Sequence, residues 1–287
     1  MPGPTRIPIL RDIIGRKREE VAALLSSPGS SALRSAAEGA EPARDFFSAC
    51  ARGEAAYRVI AEVKRRSPSA GTIGTHDQGE GFDPAFIAGR YHAGGASAIS
   101  CLTDGPFFNG SLSFIGRIKR ACPLPVLRKD FIIDTAQVYE ARAAGADAVL
   151  LIAECLVGGP LAELTGLIVE LGMTPLIELH GEEHLDRVMS AALGAGAGRT
   201  LVGINNRDLT TMRVDLGQTP RVAERISDRS IVVSESGIRT GEDLRRLGAC
   251  GVRTVLIGEH LMTRDDPGVA LRELLDDAGG GHRGANQ

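Results

Sequence analysis

A pair of opposite charges interrupts an apolar stretch near residue 60. Residues 59–68 read VIAEVKRRSP, and Glu62 and Lys64 lie two positions apart within it. In a strand, both side chains would point to the same face. A carboxylate and an ammonium are costly to bury, and a close opposite charge shifts the proton affinity of each. We therefore predict a site that needs an acid and a base within reach of one substrate.

Two later apolar runs also carry a charged side chain. Lys129 lies in PVLRKDF and Glu178 lies in TPLIELH. One such residue could simply extend to the rim of the fold or pair with a neighbour there. Three of them on different runs, counting Glu62, favour one shared site. Glu154 ends another run, AVLLIAE, and we interpret it as a rim charge.

Eight short apolar runs recur along the chain, with amphipathic stretches such as DTAQVYEARAAG between them. The runs lie at 59–64, 96–103, 125–131, 148–154, 174–180, 201–206, 231–237 and 254–259. Strands that are apolar on both faces and alternate with helices indicate a parallel sheet covered by helices. Eight such units predict an α/β fold, a (β/α)₈ TIM barrel. A doubly wound sheet would usually have fewer strands and a glycine-rich phosphate turn that VIAEVKRRSP does not provide.

The chain divides into three predicted segments. Residues 1–55 form an N-terminal helical extension, with helical spacing in IPILRDIIGRKREEVAALL, a break at SSPGSSA and a second short helix in ARDFFSACARG. We expect this extension to pack on the barrel or to cover one of its mouths. Residues 56–275 form the catalytic barrel, and the glycine-rich, polar residues 276–287 are predicted to form a flexible tail.

Composition excludes several classes of protein. The net charge of −3 predicts no general attraction to nucleic acid or to an anionic membrane. No apolar run reaches the ~18 residues of a membrane helix, and the first residues do not resemble a secretory signal. The five cysteines are widely spaced and contain no CxxC, which favours a reducing cytoplasm over disulfides or a zinc site. We expect a cytoplasmic monomer with no metal and no cofactor.

Two glycine-bearing turns follow the last two runs. SESGIRTGEDL begins at residue 234 and LIGEHLM at residue 256. Barrels of this class place their chemistry at the carboxyl ends of the strands and often bind phosphate in the loops after strands seven and eight. Gly237 and Gly258 would let the backbone approach the phosphate oxygens closely. We therefore predict a phosphate site there.

These motifs together resemble those of the indole-3-glycerol-phosphate synthase family of tryptophan biosynthesis. IAEVKRRSPS at 60–69 is similar to the family's first-strand signature, and RKREEV at 16–21 is similar to its leading helix. Further matches are FFNGS at 107–111, LRKDFIID at 127–134, GINNRDL at 203–209, ESGI at 235–238 and LIGEHLM at 256–262. Thr72, His260 and AECL at 153–156 depart from the family pattern without removing a catalytic position.

The resemblance implies a reaction and a set of roles. The family converts 1-(2-carboxyphenylamino)-1-deoxyribulose 5-phosphate to indole-3-glycerol phosphate with loss of carbon dioxide and water. Lys129 resembles the acid for ring closure, and Lys64 a contact to the substrate carboxylate, an acid for dehydration, or both. Glu62 and Glu178 are the candidates for the base.

The resemblance also implies binding residues. Asn205 and Arg207 resemble groups that orient the substrate, and Arg207 could also hold Glu62. Phe131 and Leu150 resemble walls for the aromatic ring. The residues similar to the family's phosphate-binding set are Ser67, Ser236, Gly237, Gly258 and Glu259, the last through its backbone N–H.

Two other functions compete with this interpretation. Another phosphate-binding barrel enzyme, such as phosphoribosylanthranilate isomerase or a thiamine-pathway synthase, would keep the glycine turns. It would not be expected to combine E-x-K-x-x-S-P with K-D-F. A non-catalytic barrel that only binds a phosphorylated metabolite would be expected to lose one of the four charged candidates, and all four are present.

Overall fold

Eight parallel strands close into a barrel in the computed structural model, which confirms the predicted fold class. The structure describes residues 8–68, 71–73, 81–196, 198–208 and 211–279. The strands are β1 (Arg58–Val63), β2 (Ala98–Leu102), β3 (Val126–Lys129), β4 (Ala148–Ile152), β5 (Thr174–Leu179), β6 (Leu201–Asn205), β7 (Val232–Glu235) and β8 (Thr254–Ile257). Each strand pairs with its neighbours in chain order, and β1 closes the ring against β8. The observed bounds lie within two residues of the eight predicted runs.

Helices cover the outside of the barrel. They are α4 (Pro84–Gly94), α5 (Gly105–Phe108), α6 (Ser113–Ala121), α7 (Thr135–Ala143), α8 (Pro160–Glu170), α9 (Leu185–Leu193), α10 (Gln218–Ala223), α11 (Gly241–Ala249), α12 (Glu259–Met262) and α13 (Pro267–Gly279). Several begin at a side-chain cap: Asp134 and Gln137 form a capping box at α7, as do Thr240 and Asp243 at α11. The strands are buried on both faces, so the core consists of the barrel interior and the layer between strands and helices.

The N-terminal extension contains three helices, α1 (Pro8–Ser26), α2 (Ser30–Glu38) and α3 (Phe46–Ala51). Only the first and the third are predicted from the sequence. The predicted break at SSPGSSA is shorter than expected and covers only the turn at Pro28 and Gly29. The alanine-rich sequence after it has high helix propensity and forms α2.

The extension runs along the barrel from one end to the other. Leu10 and Ile13 of α1 line the mouth at the carboxyl ends of the strands. Arg142 of α7 donates hydrogen bonds to the carbonyls of residues 40 and 41, just after α2. The carbonyl of Cys50 in α3 accepts from the hydroxyl of Thr254 at the start of β8. The extension therefore contacts both the mouth and the opposite end.

The last helix extends into the segment predicted as a tail. Helix α13 ends at Gly279, because Leu274 and Ala278 are buried and the Asp277 carboxylate accepts from the backbone N–H of Gly241. The first four residues of the predicted tail are therefore helical, and residues 280–287 lie outside the described residues. Among the described helices, none has the length and apolar character needed to span a membrane.

Candidate active site

A cavity of about 560 Å³ opens at the carboxyl ends of the strands. Every site residue predicted from the sequence lines it: Glu62, Lys64, Ser67, Lys129, Phe131, Leu150, Glu178, Asn205, Arg207, Ser236, Gly237, Gly258 and Glu259. The parallel strands bring these residues together although they lie up to about 200 positions apart in the chain. Their individual roles remain predictions.

The floor of the cavity is a layer of four charged side chains. Glu62, Lys129, Glu178 and Glu235 come from β1, β3, β5 and β7, which are alternate strands. Interior side chains of such barrels stack in layers of four from alternate strands, usually with bulky apolar residues. Here the uppermost layer is ionisable, and each member is mostly withdrawn from water. This layer concentrates acid and base groups directly beneath the mouth.

Lys129 lies between two carboxylates of this layer. Its Nζ is 2.7 Å from Oε2 of Glu235 and 3.3 Å from Oε2 of Glu178. Burial alone would lower the pKa of Lys129, but Glu235, Glu178 and Glu62 together raise it above the ordinary value for a lysine. Lys129 is therefore an ammonium group at neutral pH.

Glu62 and Lys64 form a close ion pair. Oε2 of Glu62 and Nζ of Lys64 are 2.5 Å apart. Burial would raise the pKa of Glu62, and the charges of Lys64 and Lys129 lower it below the usual range, so the carboxylate is ionised. A Cβ atom at Gly258 would overlap Oε2 of Glu62. Gly258 is thus required to make room for Glu62, a role that the sequence analysis had not considered for it.

Glu235 was missed as a member of the site. In the sequence it lies in the predicted run at 231–237, two positions after Val233, and therefore shares that residue's face of the strand. That parity is the signal that could have identified it. Burial and the neighbouring charge of Glu178 raise the pKa of Glu235 to about 8, against the lowering effect of Lys129. Oε1 of Glu235 has no hydrogen-bond partner within the described residues and packs against Gly203.

Arg207 pairs with Glu259 rather than with Glu62. Its Nη2 lies 3.4 Å from Oε2 of Glu259, and its backbone N–H donates to the side chain of Asn205. The alternative that Arg207 holds Glu62 is therefore wrong for this structure. An isolated antiparallel β-bridge joins Arg207 to Val214, and both residues line the cavity.

The loops after β7 and β8 form the opposite wall. Ser236 and Gly237 both have positive φ, at 68° and 87°, which turns the backbone sharply after β7. A Cβ at Gly237 would overlap Val214, so this glycine is required by packing as well as by its conformation. Two arginines that the sequence analysis did not single out, Arg239 and Arg246, also line this side of the cavity. They add positive charge next to the predicted phosphate loops.

Helix α1 is attached to the mouth by a buried lysine. Nζ of Lys17 lies 2.9 Å from Oδ1 of Asp104 and 2.8 Å from Oδ1 of Asp130. Asp130 directly follows Lys129, and Asp104 caps α5, whose Phe108 contacts Phe131 with ring centroids 6.1 Å apart. The extension therefore forms part of the cavity wall. No group of histidines, cysteines and carboxylates suited to hold a metal ion occurs in the part of the chain that the structure describes.

Comparison with known proteins agrees with this geometry. The family model for indole-3-glycerol phosphate synthase matches residues 10–274. Proteins of that name from Chromobacterium violaceum and Rhodopirellula baltica are each 46% identical to this chain. The alignments span 271 and 267 residues and cover 93% of this chain, with 97% and 98% of the relatives.

Solved structures that resemble the chain include two other phosphate-handling barrels. 3-Hexulose-6-phosphate synthase from Salmonella typhimurium has a TM-score of 0.58 at 14% identity and covers 78% of this chain and 100% of that one. Thiamine phosphate pyrophosphorylase from Pyrococcus furiosus has a TM-score of 0.54 at 18% identity and covers 78% and 96%. Identities this low show the shared barrel fold alone. The family match and the relatives over nearly the whole chain go further: the chain belongs to the indole-3-glycerol phosphate synthase family, whose enzymes are decarboxylating lyases of tryptophan biosynthesis.

Proposed function

We propose that the cavity binds 1-(2-carboxyphenylamino)-1-deoxyribulose 5-phosphate and converts it to indole-3-glycerol phosphate, carbon dioxide and water. The observation that carries this proposal is the ionisable layer beneath the mouth, with the Lys129 ammonium between two carboxylates. Ring closure and dehydration each need a proton donor, and dehydration also needs a base. The layer supplies these groups around one cavity.

The substrate would bind with its two anionic ends apart. The phosphate suits the loops after β7 and β8, which line the cavity together with Arg239 and Arg246. The carboxylate suits Lys64, the cation on the first strand's side of the mouth. Phe131 and Leu150 provide apolar walls for the aromatic ring, in the same cavity that Lys129 lines.

In the first step, the ring carbon that bears the carboxylate attacks the C2′ carbonyl carbon. A carbon–carbon bond forms, and Lys129 gives a proton to the carbonyl oxygen, which becomes a hydroxyl. Glu235, 2.7 Å from Lys129, holds a proton with a pKa of about 8 and returns it to the lysine. The carboxylate then leaves as carbon dioxide, and its bonding electrons restore the aromatic ring.

In the second step, the new hydroxyl leaves as water. Lys64 donates the proton to the hydroxyl on C2′. As water departs, the nitrogen lone pair forms a double bond to the aromatic carbon that bears the nitrogen, and the displaced ring electrons form a double bond to C2′. An ionised carboxylate then removes a proton from C1′, which the neighbouring positive nitrogen makes acidic. We assign this base to Glu178, because Glu62 pairs with Lys64, the proton donor of the same step, whereas Glu178 pairs with Lys129 and His180.

A direct assay tests the proposal. The purified protein is mixed with the carboxyphenylamino substrate, and indole formation is followed by fluorescence. We expect indole from the wild type and very little from Lys129→Met prepared in parallel. A folded wild-type protein that forms no indole would contradict the proposal.

Two further properties rest on the sequence alone. A cytoplasmic location is proposed from the unpaired, widely spaced cysteines, and a monomeric state is the expected one. Light scattering of the purified chain measures the second, and a dimer mass would overturn it.

A further inference from the structure

Glu154 and His180 extend the catalytic layer outward, although neither lines the cavity. Glu154 lies in the turn after β4, and His180 follows β5 directly. Nδ1 of His180 is 3.2 Å from Oε2 of Glu154, and its Nε2 is 3.1 Å from Oε1 of Glu178. The histidine thus stands between a rim carboxylate and the carboxylate proposed as the base.

This arrangement holds the imidazole in place and favours its charged form. The backbone N–H of His180 donates to Oε1 of Glu154 at 2.8 Å, so one carboxylate fixes both the ring and the end of the strand. Nδ1 of His180 is hydrogen-bonded to Glu154, whereas Nε2 lies close to Oε1 of Glu178 without hydrogen-bond geometry, so the two carboxylates favour the imidazolium mainly through their charge. Burial alone would lower the pKa of His180, but Glu154 and Glu178 raise it to about 10.

The histidine distinguishes two otherwise similar carboxylates. Glu178 and Glu235 both contact Lys129, but only Glu178 also contacts His180. Burial acts against ionisation of both. Lys129 and His180 hold the pKa of Glu178 well below its usual range, whereas that of Glu235 rises to about 8. The proton of the pair therefore lies on Glu235.

We propose that Glu154 is a positioning residue that keeps His180 charged, so that Glu178 stays ionised and the shared proton remains on Glu235. The inference rests on the proposed roles of Glu178 as base and Glu235 as proton donor to Lys129. It gives a function to the one charged residue that the sequence analysis left as a rim charge.

Other groups around His180 must be considered in any measurement of pH dependence. Nε2 of His184 lies 3.7 Å from Oε1 of Glu154, and Arg187 lies 3.4 Å from Nδ1 of His184. Gln218 donates to the carbonyl of His180. The titratable and charged groups near the histidine are Glu154, Cys155, Glu178, Glu183, His184 and Arg187.

The variant Glu154→Gln tests the proposal because its amide oxygen can still accept from the backbone N–H while the charge is lost. Carbon-13 NMR of labelled protein follows the His180 ring and the Glu178 carboxyl without substrate. We expect the titration midpoint of His180 to fall, and that of Glu178 to rise, by about one pH unit each. The acid limb of the turnover profile should move upward by about one unit as well, since Glu178 must be ionised to act as a base.

Two further variants serve as controls. Glu183→Gln removes an exposed carboxylate from the turn after β5, 3.9 Å from His184 rather than at His180, and should leave both titrations and the profile unchanged. Glu154→Asp keeps the charge and should restore most of the wild-type behaviour. If Glu154→Gln does not fold, His180→Gln replaces it, and the Glu178 midpoint must still rise.

Unchanged midpoints in Glu154→Gln would overturn the proposal, as would a lower His180 midpoint with an unchanged Glu178. Failure of the proposed function would appear differently, as a wild type that forms no indole. The titrations need no substrate and therefore separate the two outcomes.

Discussion

Two lysines near the end of β3 are surrounded by carboxylates. Lys129 is the last residue of that strand, and Lys17 contacts Asp130, the residue after it. Lys17 of α1 contacts Asp104 and Asp130, and Lys129 contacts Glu178 and Glu235. The two clusters contain the same chemical groups at similar distances. They differ in what else surrounds them.

The Lys17 cluster is closed and well bonded. The lysine side chain is 3% exposed, and Asp130 also accepts hydrogen bonds from the hydroxyl of Thr103 and the N–H of Phe131. In the other cluster the Lys129 side chain is 16% exposed, towards the cavity. Each cluster keeps one buried carboxylate oxygen without a hydrogen-bond partner among the described residues, Oδ1 of Asp104 and Oε1 of Glu235, so exposure to the cavity is what separates the two. A cluster sealed from water stabilises structure, and one that opens to the cavity can exchange protons with a substrate.

The largest effect should follow from removing the open lysine. Lys129→Met should retain the fold and much of the substrate affinity, but lower turnover by roughly 10²-fold or more, the usual scale for a general acid. Single-turnover kinetics of indole formation measure this. Lys119→Met is the matched control, since that lysine pairs with Asp147 outside the cavity and its loss should leave turnover nearly unchanged. Near-normal turnover in folded Lys129→Met would show that the Lys129 cluster, like the Lys17 cluster, has no catalytic role.

The closed lysine should affect stability instead. Lys17→Met leaves buried carboxylates without their cation, and we expect the free energy of unfolding to fall by about 3 kcal/mol. Urea denaturation gives the value. Arg16→Met on the exposed side of the same helix should cost less than about 1 kcal/mol. Equal losses in the two variants would show that Lys17 is not the anchor of α1.

A smaller loss of turnover is expected from adding a side chain at Gly258, whose missing Cβ leaves space for the Glu62 carboxylate. In Gly258→Ala the new Cβ overlaps the Glu62 carboxylate and should displace it from Lys64. We expect turnover to fall about tenfold, the lower end of the effect of a misplaced catalytic group. Gly159→Ala, at a position with no close neighbours, is the control. Weaker phosphate binding with unchanged turnover would instead support the purely phosphate-binding role predicted from the sequence.

The smallest effect concerns the proton on Glu235. Its pKa in the folded protein is about 8, above the ordinary value of 4.5, so folding favours the protonated form. The resulting stabilisation is fully present below pH 4.5 and is lost as the pH rises through about 8. The stability of the wild type relative to Glu235→Gln should therefore decrease over that interval. Denaturation curves at several pH values test this, and a constant difference would argue that Glu235 is ionised throughout.

Sequence patterns were sufficient for the barrel and for most of the cavity lining. Eight short apolar runs that alternate with amphipathic stretches fit few folds other than this barrel. A charged residue within such a run is a candidate site residue, as for Glu62, Lys129 and Glu178. Glu235 lies in the seventh predicted run but is not among the predicted site residues, because ESGI was interpreted as a phosphate-binding turn rather than as the end of an inward-facing strand. The ion pair of Arg207 with Glu259, and the need for a glycine at 258 to leave space for Glu62, depend on distances between different strands and loops. A local sequence pattern does not encode these distances. Helix α2 was missed because a proline–glycine turn was taken as the end of helical structure.

The path of the N-terminal extension has a consequence for the order in which the molecule is made. Cys50 finds its hydrogen-bond partner at Thr254, 204 residues later. At roughly 5–20 residues per second, a ribosome needs about 10 to 40 s to make that interval. During this time Phe46 and Phe47, both buried in the finished protein, lack the last strand at the end of the barrel that they cover. Helix α3 thus lacks this partner until the last strand has been made, although α1 and α2 find theirs earlier, at Asp104, Asp130 and Arg142. A nascent chain has a complete substrate cavity only after that strand has been synthesised.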